Sequence, residues 1–175
     1  MICFAATPVP LQCKSYKTLS EPNRAMAQLL GKASPLCDNT ITTGWYRFIG
    51  PAGNNMPTSC VDKNRCGTHA SGWITGALPT VKYQQVERKV CFHWGNNCCM
   101  WNKMINVTNC NGFNVYYLHK PPACSLRYCG DRGGIVSYGL DSCCQMVGVF
   151  VMSNPSIDPK KPYSVSSSCL ASYPV

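Results

Sequence analysis

Fourteen cysteines in 175 residues constrain this chain more than anything else in it. Thiols at that density are a hazard in a reducing cytosol. Outside the cell, paired as bridges, they replace part of a hydrophobic core. The count is even, so complete pairing is possible, and two of the contexts are doublets, Cys98-Cys99 and Cys143-Cys144. Composition alone leaves on the order of 10^5 pairings open. Glycine and proline are plentiful, and only 13% of residues are charged, which favours short strands and many turns over long surface helices. The expected fold is a small, disulfide-rich, mainly β structure built from antiparallel hairpins, with one or two short helices.

The length suits one domain, or one domain with a tail. Sixteen Lys and Arg against seven Asp and Glu leave a net charge of +9. The basic residues are scattered, and only Arg88-Lys89 and Lys160-Lys161 are adjacent. A nucleic-acid reader clusters its cations on one element, so no nucleic-acid partner is expected. Weak attraction to acidic glycans or anionic surfaces fits better. No stretch approaches the length of a membrane span. The apolar run Met146–Met152 is short and reads as a buried strand. The first residues, Met-Ile-Cys-Phe-Ala-Ala-Thr-Pro, do not make a complete signal peptide but fit the tail end of one.

Along the chain, Ser20 to Gly31 has the marks of a helix. Ser20 can cap it, Pro22 suits its first turn, and Ala25, Met26, Leu29 and Leu30 recur at helical spacing. Trp45 to Ile49 reads as a strand ended by Gly50-Pro51, and Val86–Trp94 as another. The clearest element is a hairpin. Ile105 to Cys110 alternates apolar and polar, Asn111-Gly112 offers two positive-φ positions, and Phe113 to Leu118 returns. Pro121-Pro122 closes the region. The segment Ser153–Val175, with its prolines and Ser166-Ser167-Ser168, is expected to hold little regular structure.

Catalytic constellations are missing from the sequence. There is no Gly-x-Ser-x-Gly elbow, phosphate loop, His-Glu-x-x-His or Cys-x-x-Cys. Cys66-x-x-His69 and Cys91-x-His93 have the look of zinc ligands, but zinc needs thiolates, and in an oxidising compartment those cysteines are bridged. No metal or cofactor is expected. One N-glycosylation sequon exists, Asn106-Val107-Thr108; Asn154 is followed by proline, which blocks acceptance. On the hairpin, Ile105 and Val107 are expected to face the core, with Asn106 and Thr108 facing out. That makes Asn106 the expected glycan site.

The cysteine contexts resemble the cysteine-rich domain of uromodulin and its relatives. The matching run begins at Cys13 and continues through Ser20-Glu-Pro-Asn-Arg24, Leu36-Cys-Asp38 and Gly44-Trp-Tyr-Arg-Phe-Ile-Gly50. Met56-Pro-Thr58, Cys60, Cys66-Gly-Thr-His-Ala70, Trp73, Cys91, Cys98-Cys-Met-Trp-Asn102, Cys110, Val115-Tyr116, Cys124 and Cys129 complete it. About two thirds of the chain is covered, residues 13 to 130, flanked by extensions over 1–12 and 131–175. The resemblance implies five bridges: Cys13–Cys110, Cys37–Cys124, Cys60–Cys98, Cys66–Cys129 and Cys91–Cys99. Cys3, Cys143, Cys144 and Cys169 fall outside the pattern, free to tie the ends down or to link chains into a disulfide-bonded oligomer. It carries over no enzymatic role. It also implies a decoy glycan on the hairpin that captures bacterial adhesins, but the matching stretch here, Tyr117-Leu-His-Lys120, has no sequon. The leading expectation is a secreted adhesion or binding module for an extracellular glycan, microbe or protein ligand. The alternatives are a cysteine-linked protein of a secreted matrix or mucus, and a secreted enzyme or effector on the same scaffold.

Overall fold

The computed structural model describes residues 7–132, and within them seven strands form a single mixed sheet. The strands are β1 (Lys17–Leu19), β2 (Gly44–Phe48), β3 (Ala70–Ile74), β4 (Gln85–Trp94), β5 (Asn97–Asn109), β6 (Asn114–Leu118) and β7 (Leu126–Tyr128). Their order across the sheet is β1-β2-β6-β5-β4-β3-β7. The four central pairings are antiparallel, and the short outer strands β1 and β7 add in parallel to β2 and β3. The expected strand at Met146–Met152, the irregular tail and the outlying cysteines Cys3, Cys143, Cys144 and Cys169 lie outside the described residues.

The centre of the sheet follows from alternation. On β4, Val90 and Phe92 point into the core while Glu87 and Lys89 are exposed; on β5, Ile105 and Val107 point the same way. Phe48, Tyr116, Leu118, Leu126 and Tyr128 complete that face. Phe48 meets Tyr116 edge to face, with ring centroids 5.5 Å apart, a geometry that the ring quadrupoles favour. The Asn111-Gly112 turn has φ of +61° and +107°, and the Cys110 N–H donates to the Phe113 carbonyl across it (2.7 Å). These are the two positive-φ positions of a two-residue hairpin.

Two expectations are corrected. Ser20 to Gly31 is not an α-helix. One 3-10 turn, Pro22–Arg24, is followed by extended chain. The Met26 N–H donates to the Gly130 carbonyl (2.8 Å) and the Leu30 N–H to the Asn64 carbonyl (2.9 Å), so distant segments take the donors a helix would have used. A twelve-residue helix is marginal on its own, and tertiary pairing outbids it. The short helices of this fold are 3-10 turns, at Leu11–Cys13, Pro22–Arg24, Asp38–Thr40 and Gly50–Ala52. Thr108 does not face solvent either. It is fully buried on the sheet face away from the main core, because the segment around Gln12 lies over it. The Gln12 Nε2 donates to Thr108 Oγ1 (3.3 Å) and to Gln85 Oε1 (3.2 Å).

Gly130 shows how tightly the extended segment packs. A Cβ there would sit 1.8 Å from the Ala52 carbonyl oxygen. Replacing Gly130 with alanine is therefore expected to cost about 3 kcal/mol, because backbone rather than a flexible side chain must move. Gly112→Ala meets open space and is expected to cost only roughly 1 kcal/mol, for the left-handed backbone. Urea unfolding of both variants checks the order; equal midpoints would mean that the Gly130 approach is not tight.

Candidate functional site

Bridges hold the periphery to the sheet. Cys13 joins Cys110 at the hairpin turn, Cys60 joins Cys98, Cys66 joins Cys129 and Cys91 joins Cys99. The vicinal pair Cys98-Cys99 thus reaches two separate segments. Cys37 and Cys124 are thiols in this structure, with side chains in hydrogen-bonding reach of each other. Partial burial opposes ionisation of Cys37, but the Cys124 side chain and the Asn39 backbone outweigh it and pull the Cys37 thiol down. The same side-chain hydrogen bond pushes Cys124 up. Cys37 is the better thiolate of the two, and therefore the attacking sulfur if the pair closes.

A buried ionic knot, which sequence reasoning missed, locks the edge strand. Arg24 donates through both terminal nitrogens to the Asp38 carboxylate, at 2.7 and 3.0 Å, and to the Tyr128 carbonyl at 3.0 Å. Asp38 also accepts the Tyr128 N–H (2.9 Å), and Arg127 lies 3.7 Å from its second oxygen. Arg24, Asp38 and Arg127 are at most 5% exposed. Burial, aided by the like charge of Arg24, pushes the Arg127 guanidinium down to about 10, still charged at neutral pH. Charged residues near a turn give no sign of burial in sequence; only the recurrence of Arg24 and Asp38 in the resembling contexts hinted at a role.

Around the expected metal ligands, the fold assembles a different trio, Cys60, His93 and Cys98. Two of its sulfurs are bonded to each other, and the His93 Nδ1–H donates to the Val61 carbonyl (2.9 Å). An oxidised pair offers no thiolate, so this donor set does not suit zinc. Asn106 lies half-buried on the face opposite the core, between Glu87 of β4 and Tyr117 of β6. Beside the hairpin turn opens a cleft of about 380 Å³ lined by Arg47, Asn54, Asn55, Asn109, Phe113 and Asn114, with Gly112 at its edge. The Arg47 guanidinium stacks 3.8 Å above the Phe113 ring and donates to the Tyr16 hydroxyl (3.1 Å).

The sheet and its staples match a known domain: the model of the uromodulin-like domain family covers residues 46–130, from β2 to just past β7. This chain belongs to the uromodulin-like family. It is 44% identical over 120 residues to pancreatic secretory granule membrane major glycoprotein GP2 of Canis lupus familiaris, covering 68% of the chain and 23% of that protein. It is 38% identical over 138 residues to uromodulin of Rattus norvegicus, covering 78% and 20% respectively. Human GP2 is 38% identical over 118 residues, covering 67% and 21%. The chain thus spans a fifth to a quarter of the length of these relatives. Cys13, Tyr16, Arg24, Cys37 and Asp38 precede the family match, yet each of them meets a side chain or backbone group inside it. The N-terminal segment is part of how this uromodulin-like domain is held together.

Proposed function

We propose that this uromodulin-like domain works outside the cell as a disulfide-stapled binding module, in adhesion or in the capture of a glycan or microbe. The observation that carries the reading is the likeness to uromodulin and to a secretory-granule membrane glycoprotein. The density of bridges supports an oxidising compartment. A glycan array probed with the whole chain, beside a non-reducing gel, tests it. A monomer with a saturable glycan hit is the expected result. Multimers that collapse on reduction, with a blank array, would replace it with the matrix reading.

We also propose that the Cys37 and Cys124 thiols close to a fifth bridge on secretion. Peptide mapping without reduction is expected to recover the two peptides joined; alkylation of both thiols in the native secreted protein would rule the bridge out.

Asn106 is proposed as the glycan site. Transfer acts on the unfolded chain, so the later burial of the Thr108 hydroxyl is no obstacle. In protein from a eukaryotic secretory host, an amidase that removes N-glycans is expected to shift the mass of the Asn106 peptide and no other. No shift there would remove any decoy role through this site.

A further inference from the structure

The cleft beside the hairpin turn is built for a ligand of particular chemistry. Among the described residues, two buried side-chain polar atoms lack a hydrogen-bond partner, Arg47 Nε and Asn114 Oδ1. Both belong to residues that line this cleft. A buried polar atom left unpaired costs about 1–3 kcal/mol, a cost that a complementary ligand would offset. Arg47 also has no carboxylate partner among the described residues, although the buried arginines Arg24 and Arg127 both do. Its Nη1 is given to Tyr16, which leaves the Nε–Nη2 edge. That edge is the two-donor fork that matches a planar carboxylate. The Phe113 ring holds the guanidinium flat while permitting it to swing in plane toward the cleft.

The other wall asks for hydroxyls. Asn114 Nδ2 is given to Asn55 Oδ1 (3.0 Å), so its remaining Oδ1 can only accept. Asn109 is fixed on both sides, its Nδ2 donating to the Pro79 carbonyl and its Oδ1 accepting the Asn111 N–H, both at 2.8 Å. Asn54 stands exposed at the rim, its backbone N–H anchored on Asp131. Such an amide-rich wall has no apolar recess for a peptide side chain, but it suits a ring bearing several hydroxyls. The surplus of positive charge on the chain favours an anionic partner.

We propose that this cleft binds a carboxylate-bearing sugar of an acidic glycan, with Arg47 gripping the carboxylate side-on and Asn114 Oδ1 accepting a ring hydroxyl. The proposal rests on the adhesion reading and names its site. The test titrates the oxidised whole chain with the methyl glycosides of glucuronic acid and N-acetylneuraminic acid, following amide shifts by NMR. Methyl glucoside, the methyl ester of the glucuronide and galactose 6-sulfate serve as comparisons. The two acids are expected to shift the Asn111-Gly112 turn and Asn54 saturably. The ester and the neutral sugar are expected to bind at least tenfold more weakly, as is the sulfate, whose tetrahedral oxygens fit the fork less well. Arg47→Lys keeps the charge without the fork and is expected to weaken acid binding about tenfold, while Lys82→Gln leaves it unchanged. Should Arg47→Lys fail to fold, the acid–ester comparison on the unaltered chain decides. Equal binding of ester and acid, of sulfate and acid, or equal loss in Arg47→Lys and Lys82→Gln would overturn the proposal. An array hit without any shift at the turn would overturn the cleft and leave the adhesion reading standing; a blank array would remove both.

Discussion

Replacing Asp38 with asparagine is expected to lower the unfolding free energy by about 3–5 kcal/mol, the range for removing one partner of a buried ion pair. Asn keeps the shape but not the charge, and two guanidinium groups are then left buried with Glu21 as their remaining acid. The Tyr128 N–H and both terminal nitrogens of Arg24 lose a carboxylate acceptor at once. Guanidinium chloride unfolding with the bridges intact measures the loss. The double variant Arg24→Met/Asp38→Leu is expected to regain part of it, because apolar groups of similar volume often replace a buried pair at little cost. If Asp38→Asn unfolds at the midpoint of the unaltered protein, the knot is not an energetic feature. Glu21 offers a contrast. It is 46% exposed, and its removal is expected to cost no more than about 1 kcal/mol. Partial burial works to raise its carboxyl, but Arg24 and Arg127 outweigh this and hold it below the ordinary value. Its contribution is therefore present at neutral pH, above the unfolded carboxyl's range, and is lost as pH falls through the lowered folded value. Glu21→Gln should remove that part of the acid-side decline.

Deleting the Cys66–Cys129 bridge as a double alanine variant is expected to cost roughly 4 kcal/mol in the chain-entropy model, for a loop of 63 residues. Both cysteines are fully buried against Val61, so the lost sulfur contacts add to the effect. The same model gives about 2.5 kcal/mol for Cys91–Cys99, whose ends are 8 residues apart across one hairpin. Thermal and denaturant melts of the two double variants should rank them in that order. If the short-loop variant proved the less stable, loop closure would not be what these bridges contribute, and contacts along β4 and β5 would take its place.

Some of the fold was readable at once. The Asn111-Gly112 dipeptide and the alternation of Ile105 and Val107 mark the hairpin, because turn chirality and the two-residue period are local stereochemistry. The strand at Trp45 and the one at Val86 are legible for the same reason. The segment from Ser20 was not. Its helical spacing is real, yet Ala25 and Leu30 bury against segments that lie far away in sequence. Thr108 followed the alternation faithfully. The error lay in assuming that only one face of the sheet is covered. The three-residue strands β1 and β7 left no periodic signal, being too short to show one, and parallel pairing needs no turn to announce it. The cleft was invisible for a related reason. Arg47, Asn114 and Asn54 come from three separate stretches, and an unpaired Nε is a property of their meeting.

The sequence by itself determined the kind of object this is. Cysteine density set the compartment, scarce charge with abundant glycine and proline set short strands, and cysteine contexts set the family. These are matters of composition and of residues close along the chain. Tertiary structure alone decided which charges are buried, which polar atoms are left wanting, and where the N-terminal segment lies. Each of these depends on groups up to about a hundred residues apart, as when Arg24 meets the Tyr128 carbonyl or Cys13 meets Cys110. No local preference encodes such a meeting; it exists only once the sheet has brought the two ends of the module together.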